Sequence, residues 1–237
     1  MTAKTYVLLH GAWHGGWCWK KITPLLIAAG HKVFAPTQTG LGERSHLLSP
    51  SVNLCTFVQD LLNVFEWEDL HNVILVGHSF GGNVITFAAD RIPNRIRHLV
   101  YLDAAIPISG QSVFSQMPAE LAQERRKLAQ QTSDGLTIPV PSADKFGVLD
   151  ETDAAWLKQK CTPHPIATYD DALCLEYAPG NGIPTTYIAV TPHYEPTASS
   201  RNYARERTDW TYIEMIAGHD AMITSPDVLT EILLSIC

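Results

Sequence analysis

The sequence predicts an α/β fold: a mostly parallel sheet of about six strands, helices on both faces, and an inserted helical lid. Three observations predict it. Short β-rich runs alternate with helical stripes along the 237 residues, and strands joined by helices lie parallel with the helices against both faces. One run, Val73–Val76, is apolar throughout, as a strand buried on both sides must be. The alternation breaks once, over residues 105–183, which are rich in Pro, Gln, Ser and Asp. Residues 1–104 and 184–237 therefore read as the core, and 105–183 as the inserted lid.

Each element has its own signal. Tyr6–His10 is a short β-rich run. Trp17–Ala29 reads as a helix ended by Gly30, and Lys32–Ala35 as a strand stopped by Pro36. Leu54, Phe57, Val58, Leu61, Leu62 and Phe65 recur at helical spacing and share one face. Phe80–Arg91 reads as a helix that stops before Pro93, and Leu99–Leu102 as another buried strand. The lid holds helix-like pieces at Ala119–Gln131 and Thr152–Lys160. Strands return at Thr185–Val190 and Thr211–Ile216. Ser225 and Pro226 open a final helix as N-cap and first helical residue, with Val228, Leu229, Ile232, Leu233 and Ile236 facing inward.

Composition narrows the function classes. A net charge of −7, with no Lys/Arg block, argues against nucleic acid as a partner. No stretch approaches the roughly 18 apolar residues of a membrane span, and no apolar leader precedes the first strand. Five cysteines, an odd count without a C-x-x-C pair, fit a reducing compartment, so a cytoplasmic location is expected. They read as small apolar fillers. Oligomeric state is left open, a homodimer included.

The stretch VILVGHSFGGN carries G-x-S-x-G at Gly77–Gly81, between the end of a strand and the start of a helix. That context forces a sharp turn with Ser79 in a strained backbone conformation, its Oγ exposed beside a helix N-terminus. Ser79 is the candidate nucleophile. The stretch LLHGAWHGGW after the first strand offers the N–H of Ala12, with that of Phe80, as an oxyanion hole. His10 and His14 have the i, i+4 spacing of a zinc pair, but a glycine turn separates them and no carboxylate is near in sequence, so no metal is expected. His219, in the loop between the last strand and the last helix, opens on the same sheet edge as Ser79 and is the candidate base. His78 reads as a support of the turn at Ser79; His31, His46, His71, His98 and His164 read as surface or local hydrogen-bonding residues.

These motifs resemble the α/β-hydrolase superfamily, and within it the branch of plant methyl esterases and hydroxynitrile lyases. The similarity runs through HGAWHGGWCWKKITPLLIAAGHKV, VILVGHSFGG and AGHDAMITSP. It implies Ser79 as nucleophile, His219 as base, Ala12 and Phe80 as oxyanion donors, and an insert capping an apolar acyl or aryl pocket. The lyases of the branch carry Thr after the first His and Lys after the catalytic His; here those residues are Gly11 and Asp220, which favours an esterase. In the esterases the acid follows the strand matching Thr185–Val190, and His193 stands in its place here.

Two carboxylates compete for that role, which is to hold the base's tautomer and stabilise its protonated form. Asp103 ends the strand after the nucleophile helix, similar to the acid of some haloalkane dehalogenases. Glu195 lies two residues beyond the usual place. Asp103 is the first choice and Glu195 the alternative; Asp220 is set aside as too close to His219 in sequence.

Trp13, Phe114, Met117, Phe146 and Trp156, with Leu149 and Leu157, are apolar enough to line a pocket. No arginine clamp is apparent, so small neutral esters with aryl or short-acyl groups are expected. The reading is a cofactor-free serine carboxylesterase acting on a small-molecule ester. A hydroxynitrile lyase, a lactonase and a non-catalytic small-molecule receptor are its alternatives.

Overall fold

The computed structural model describes residues 3–236; the expectation for Cys237 lies outside them. The chain runs β1 (Thr5–Leu9), α1 (Thr23–Ala28), β2 (Lys32–Phe34), α2 (Leu54–Trp67), β3 (Val73–His78), α3 (Gly81–Arg91) and β4 (Ile96–Leu102). Then come α4 (Ala119–Ser133), β5 (Thr137–Ile138), α5 (Glu151–Lys160), β6 (His164–Pro165) and α6 (Ala167–Asp170). The chain closes with β7 (Thr185–Thr191), α7 (Ala198–Glu206), β8 (Trp210–Ile216), α8 (Ala221–Thr224) and α9 (Pro226–Ser235).

Six strands form one parallel sheet in the order β2-β1-β3-β4-β7-β8. The chain moves outward from β1 to β2, then returns past β1 to β3 and onward. Right-handed crossovers place helices on opposite faces when the direction reverses. Accordingly α1 packs with α9, and α2 packs with α3. The reversal leaves a crevice at the strand C-termini between β1 and β3, where open α/β sheets bind ligands.

β3 is buried along its whole length, as its apolar run requires. Register partners Tyr101, Tyr187 and Tyr212 form a stacked ladder across β4, β7 and β8, with ring centroids 6.4 and 6.0 Å apart. Such cross-strand pairs fix register. On α2 the expected stripe faces inward: Leu54, Phe57, Val58, Leu61 and Phe65 are buried. Asn53 and Thr56 close a reciprocal capping box at its start.

Several expectations need correction. Trp17–Ala29 is a 3₁₀ turn at Gly16–Trp19 followed by α1, because Pro24 has no N–H to continue a helix and instead starts one. Ser225 makes no capping bond; α8 precedes it and sets the chain's direction. Val228 is exposed, while Leu229 and Leu233 carry the buried face of α9. Of the described cysteines only Cys18 is a buried filler; Cys55 and Cys174 are exposed. β5 and β6 pair antiparallel within the segment between β4 and β7. No helix among the described residues is long and apolar enough to cross a membrane.

Candidate active site

Strand register brings the polar residues together. Leu9 pairs with Gly77, and His78 with Leu102, so the residues just beyond, His10–Ala12, Ser79 and Asp103, converge at one sheet edge. Ser79 has φ +52° and Asp103 φ +41°, a region few side chains adopt. The surroundings hold them there. Ser79 N–H donates to Leu102 O at 3.2 Å, Ala105 N–H to Ser79 O at 2.9 Å, and Asp103 N–H to Ile188 O at 2.7 Å.

His219 projects from the loop after β8 into the same place. Its Nδ1–H donates to Asp103 Oδ2 at 2.6 Å, and Ser79 Oγ–H donates to its Nε2 at 2.9 Å. Asp103 is fully buried and His219 nearly so. Asp103 Oδ1 accepts from Thr197 Oγ1 at 3.1 Å. The Tyr194 ring stacks on the imidazole with centroids 3.6 Å apart and planes 20° from parallel. His78 supports this loop, its Nε2–H donating to His219 O at 3.0 Å. Glu195 is not brought to His219: it is exposed, opens a 3₁₀ turn and stands at the rim of the cavity. His193 is exposed too, with Nδ1–H donating to Val190 O at 2.8 Å.

The backbone N–H groups of Ala12 and Phe80 meet no acceptor among the described residues. The peptide carrying the Ala12 N–H is held from its other side, since His10 Nδ1–H donates to Gly11 O at 2.8 Å. In a trans peptide the N–H then points the opposite way. His10 Nε2 accepts from Gln38 N–H at 3.0 Å, so the ring is neutral; burial lowers its pKa to about 3. Gly11 packs so tightly that a Cβ there would sit 2.8 Å from Ser79 Cβ and 3.0 Å from His78 Nδ1. A threonine at this position has no room.

Behind the site lies a buried charge pair. His14 Nδ1–H donates to Ala12 O at 2.7 Å, and Nε2–H to Asp220 Oδ2 at 3.0 Å. Two acceptors require two protons, so His14 is an imidazolium. Burial alone would lower its pKa, but the Asp220 carboxylate raises it well above 6.5. Burial likewise opposes the Asp220 charge, and His14 outweighs it to lower that carboxyl. The fold thus supplies, from 206 positions away, the carboxylate that the neighbouring sequence lacks. The ring nitrogens of His10 and His14 all have protein partners. His78, His219 and Asp220 offer ligand atoms within 4.8 Å of one another, but both nitrogens of His219 are already engaged.

A cavity of ≈ 530 Å³ opens over Ser79. Trp13 and Met117 line it. Phe114, Phe146 and Trp156 do not, because each packs in a layer behind. Phe114 lies behind Tyr169 at 5.3 Å, Phe146 against His14 at 5.3 Å, and Trp156 edge-on to Trp17 at 5.2 Å. Leu149 points to solvent and Leu157 into the core. Of the two roles expected for His164, it has the local hydrogen-bonding one and not the surface one: it is fully buried, its Nδ1 accepts from Trp13 N–H at 3.2 Å and its Nε2–H donates to Thr168 Oγ1 at 2.8 Å. Arg125, Tyr169 and Tyr194, which no sequence pattern singles out, also line the cavity. Arg125 corrects the expectation of a pocket without a guanidinium. It stands on a helix whose polar composition hides which face turns inward.

Comparison with known proteins gives a consistent picture. A profile described as the alpha/beta hydrolase family matches residues 6–232. The carbendazim hydrolyzing esterase of Nocardioides sp. (strain SG-4G) is 39% identical over 238 residues, covering 95% of this chain and 96% of that one. Salicylic acid-binding protein 2 of Nicotiana tabacum is 40% identical over 107 residues, 45% of this chain and 41% of its own length. Among solved structures, an extracellular alpha/beta-hydrolase from a Paenibacillus species superimposes with a TM-score of 0.82 at 28% identity, over 98% of each chain.

Proposed function

The chain belongs to the alpha/beta hydrolase family and is an esterase-type enzyme; from that premise we propose that it is a serine carboxylesterase working through Ser79, His219 and Asp103. The observation that carries this reading is the unbroken hydrogen-bond chain from Asp103 Oδ2 through the imidazole to Ser79 Oγ. The segment 105–183 acts as the cap that shapes the cavity, and the substrates are small esters with aryl or short-acyl groups.

Ser79 attacks the ester carbonyl while His219 Nε2 takes its proton. Asp103 keeps the other imidazole proton on Nδ1 and stabilises the imidazolium. The oxyanion rests on the N–H groups of Ala12 and Phe80, each such donor contributing about 10²–10³ in rate. His219 then gives its proton to the departing alcohol. A water enters, loses a proton to His219 and releases the acyl group, restoring Ser79. Thr197 and Tyr194 keep Asp103 and the imidazole in line.

A lyase reading is opposed by two features. A threonine at Gly11 has no room, and the residue following His219 supplies no cation to a departing cyanide: it is Asp220, buried and paired with His14.

The test is 4-nitrophenyl acetate turnover by wild type, Asp103→Asn and Glu195→Gln, with folding checked by circular dichroism. The expected result is a fall of about 10⁴ in kcat for Asp103→Asn and little change for Glu195→Gln. The reverse pattern moves the acid to Glu195. A wild type without turnover of esters or lactones, unlabelled by a fluorophosphonate, points to a receptor. Cyanide release from mandelonitrile points to a lyase.

A further inference from the structure

The cavity over Ser79 is lined mostly by apolar side chains, among them Trp13, Phe80, Val113, Met117 and Leu121, yet it contains one guanidinium, Arg125. On α4 the next residue, Arg126, turns away from the cavity and pairs with Asp170 at 2.5 Å. Arg125 has no such partner: no carboxylate among the described residues lies within ion-pair distance of it. Glu195, the other charged residue of the lining, is exposed at the rim.

The half-buried Arg125 is held against aromatic faces. Its guanidinium carbon is 5.9 Å from the Trp13 ring centroid and 5.5 Å from that of Tyr169. Trp13 is itself fixed, its indole N–H donating to Ile138 O at 3.1 Å and its backbone N–H to His164. The guanidinium also donates to the Tyr169 hydroxyl; with five N–H donors in its plane, it keeps others for a ligand. An unpaired cation in an apolar wall is costly to keep. The cost is offset when a bound molecule supplies the anion. Arg125 and Ser79 line the same cavity, so a substrate held at Ser79 shares its space with this cation.

We propose that Arg125 is the specificity residue of this cavity, and that the preferred substrates are esters carrying a second, carboxylate group, bound by a bidentate pair with the guanidinium. The proposal rests on the reading of Ser79 as nucleophile. It replaces the neutral-ester expectation by adding a charge preference to the same cavity.

The experiment compares two esters of equal acyl carbon count, mono-(4-nitrophenyl) adipate and 4-nitrophenyl hexanoate, on wild type, Arg125→Gln and Arg125→Lys. In wild type kcat/KM is higher for the adipate half-ester. Arg125→Gln lowers that value about 10–100-fold, mainly through KM, and leaves the hexanoate nearly unchanged. Arg125→Lys recovers part of it, since an ammonium keeps the charge without the fork. Equal changes for both esters, or a wild type that favours the hexanoate, overturn the proposal. If wild type cleaves neither ester, the esterase reading fails by itself. Calorimetric titration of adipate against adipamide then decides for Arg125: binding of adipate weakened at least tenfold by Arg125→Gln upholds it, and unchanged binding overturns it.

Discussion

His14 and Asp220, 206 positions apart in the chain, form a buried ion pair with a 3.0 Å contact that ties the loop after β1 to the loop bearing His219. The same imidazolium donates to Ala12 O. One charged pair thus joins the segment carrying Ala12 to the segment carrying His219, although neither residue faces the cavity.

Asp220→Asn should destabilise the fold by roughly 3–5 kcal/mol, because it strands a buried cation. Its pH dependence follows from the two shifts. The His14 pKa is raised in the folded state, so its contribution is complete below 6.5 and is lost as pH rises toward the folded value. The Asp220 pKa is lowered, so its contribution is complete above 3.8 and is lost as pH falls. The gap between wild type and variant in urea denaturation is therefore widest between pH 3.8 and 6.5 and narrows on either side.

His10 works in the opposite sense. Burial holds it neutral with a pKa of about 3 against an ordinary 6.5. The unfolded chain takes up this proton first on acidification, so stability falls as pH drops through that interval. His10→Gln removes one titrating group. Its stability, though lower at neutral pH, should decline less steeply between pH 6 and 4, by about 1.4 kcal/mol per pH unit. Denaturation midpoints across that range are the check. An unchanged slope means His10 is not the group being protonated.

Gly11→Ala should cost about 100-fold in kcat while the protein still folds. The added methyl meets Ser79 Cβ at 2.8 Å, and neither strand end can retreat without moving Ser79 or the Ala12 N–H. A displacement on the order of 1 Å is enough for that loss. Steady-state kinetics beside a thermal melt distinguish this from general destabilisation. Gly11→Thr should fail in the same way, and should gain no cyanide release from mandelonitrile.

Thr197→Val should lower kcat about 10-fold with KM unchanged. The single hydroxyl proton of Thr197 is shared between Asp103 Oδ1 at 3.1 Å and Tyr194 O at 2.9 Å. Its loss leaves a buried carboxylate oxygen short of a donor. A change in KM alone would contradict this role.

Much of the architecture was legible because it rests on local patterns. Continuous apolar runs and a helical stripe are visible in any window of a dozen residues. The glycines around Ser79 also announce the turn on their own. The meeting of Ser79, His219 and Asp103 follows from one further rule, that parallel strands end on the same side. The rest depends on contacts between distant loops. Nothing near His14 in sequence announces Asp220. Tyr194 stacks on His219 because the chain turns back after β7, a path set by tertiary packing. Arg125 sits among Glu124, Arg126 and Lys127, and only its orientation separates it from an ordinary solvated face. At Pro24 a continuous helical pattern hid a break that proline chemistry imposes.

Two glycines carry a consequence for exchanging parts between relatives. A Cβ on Gly218 would lie 2.4 Å from Gly147 O, and one on Gly147 2.7 Å from the Gly218 Cα; Asp220 N–H also donates to Phe146 O at 3.1 Å. The backbone around Gly147 is therefore keyed to the backbone beside His219. Residues 105–183 are not a detachable module. A chimaera that imports a foreign version of this segment must bring a glycine to the crossing or import the His219 loop with it, whereas exchanges confined to α4 leave the keyed pair intact and alter only the wall of the cavity.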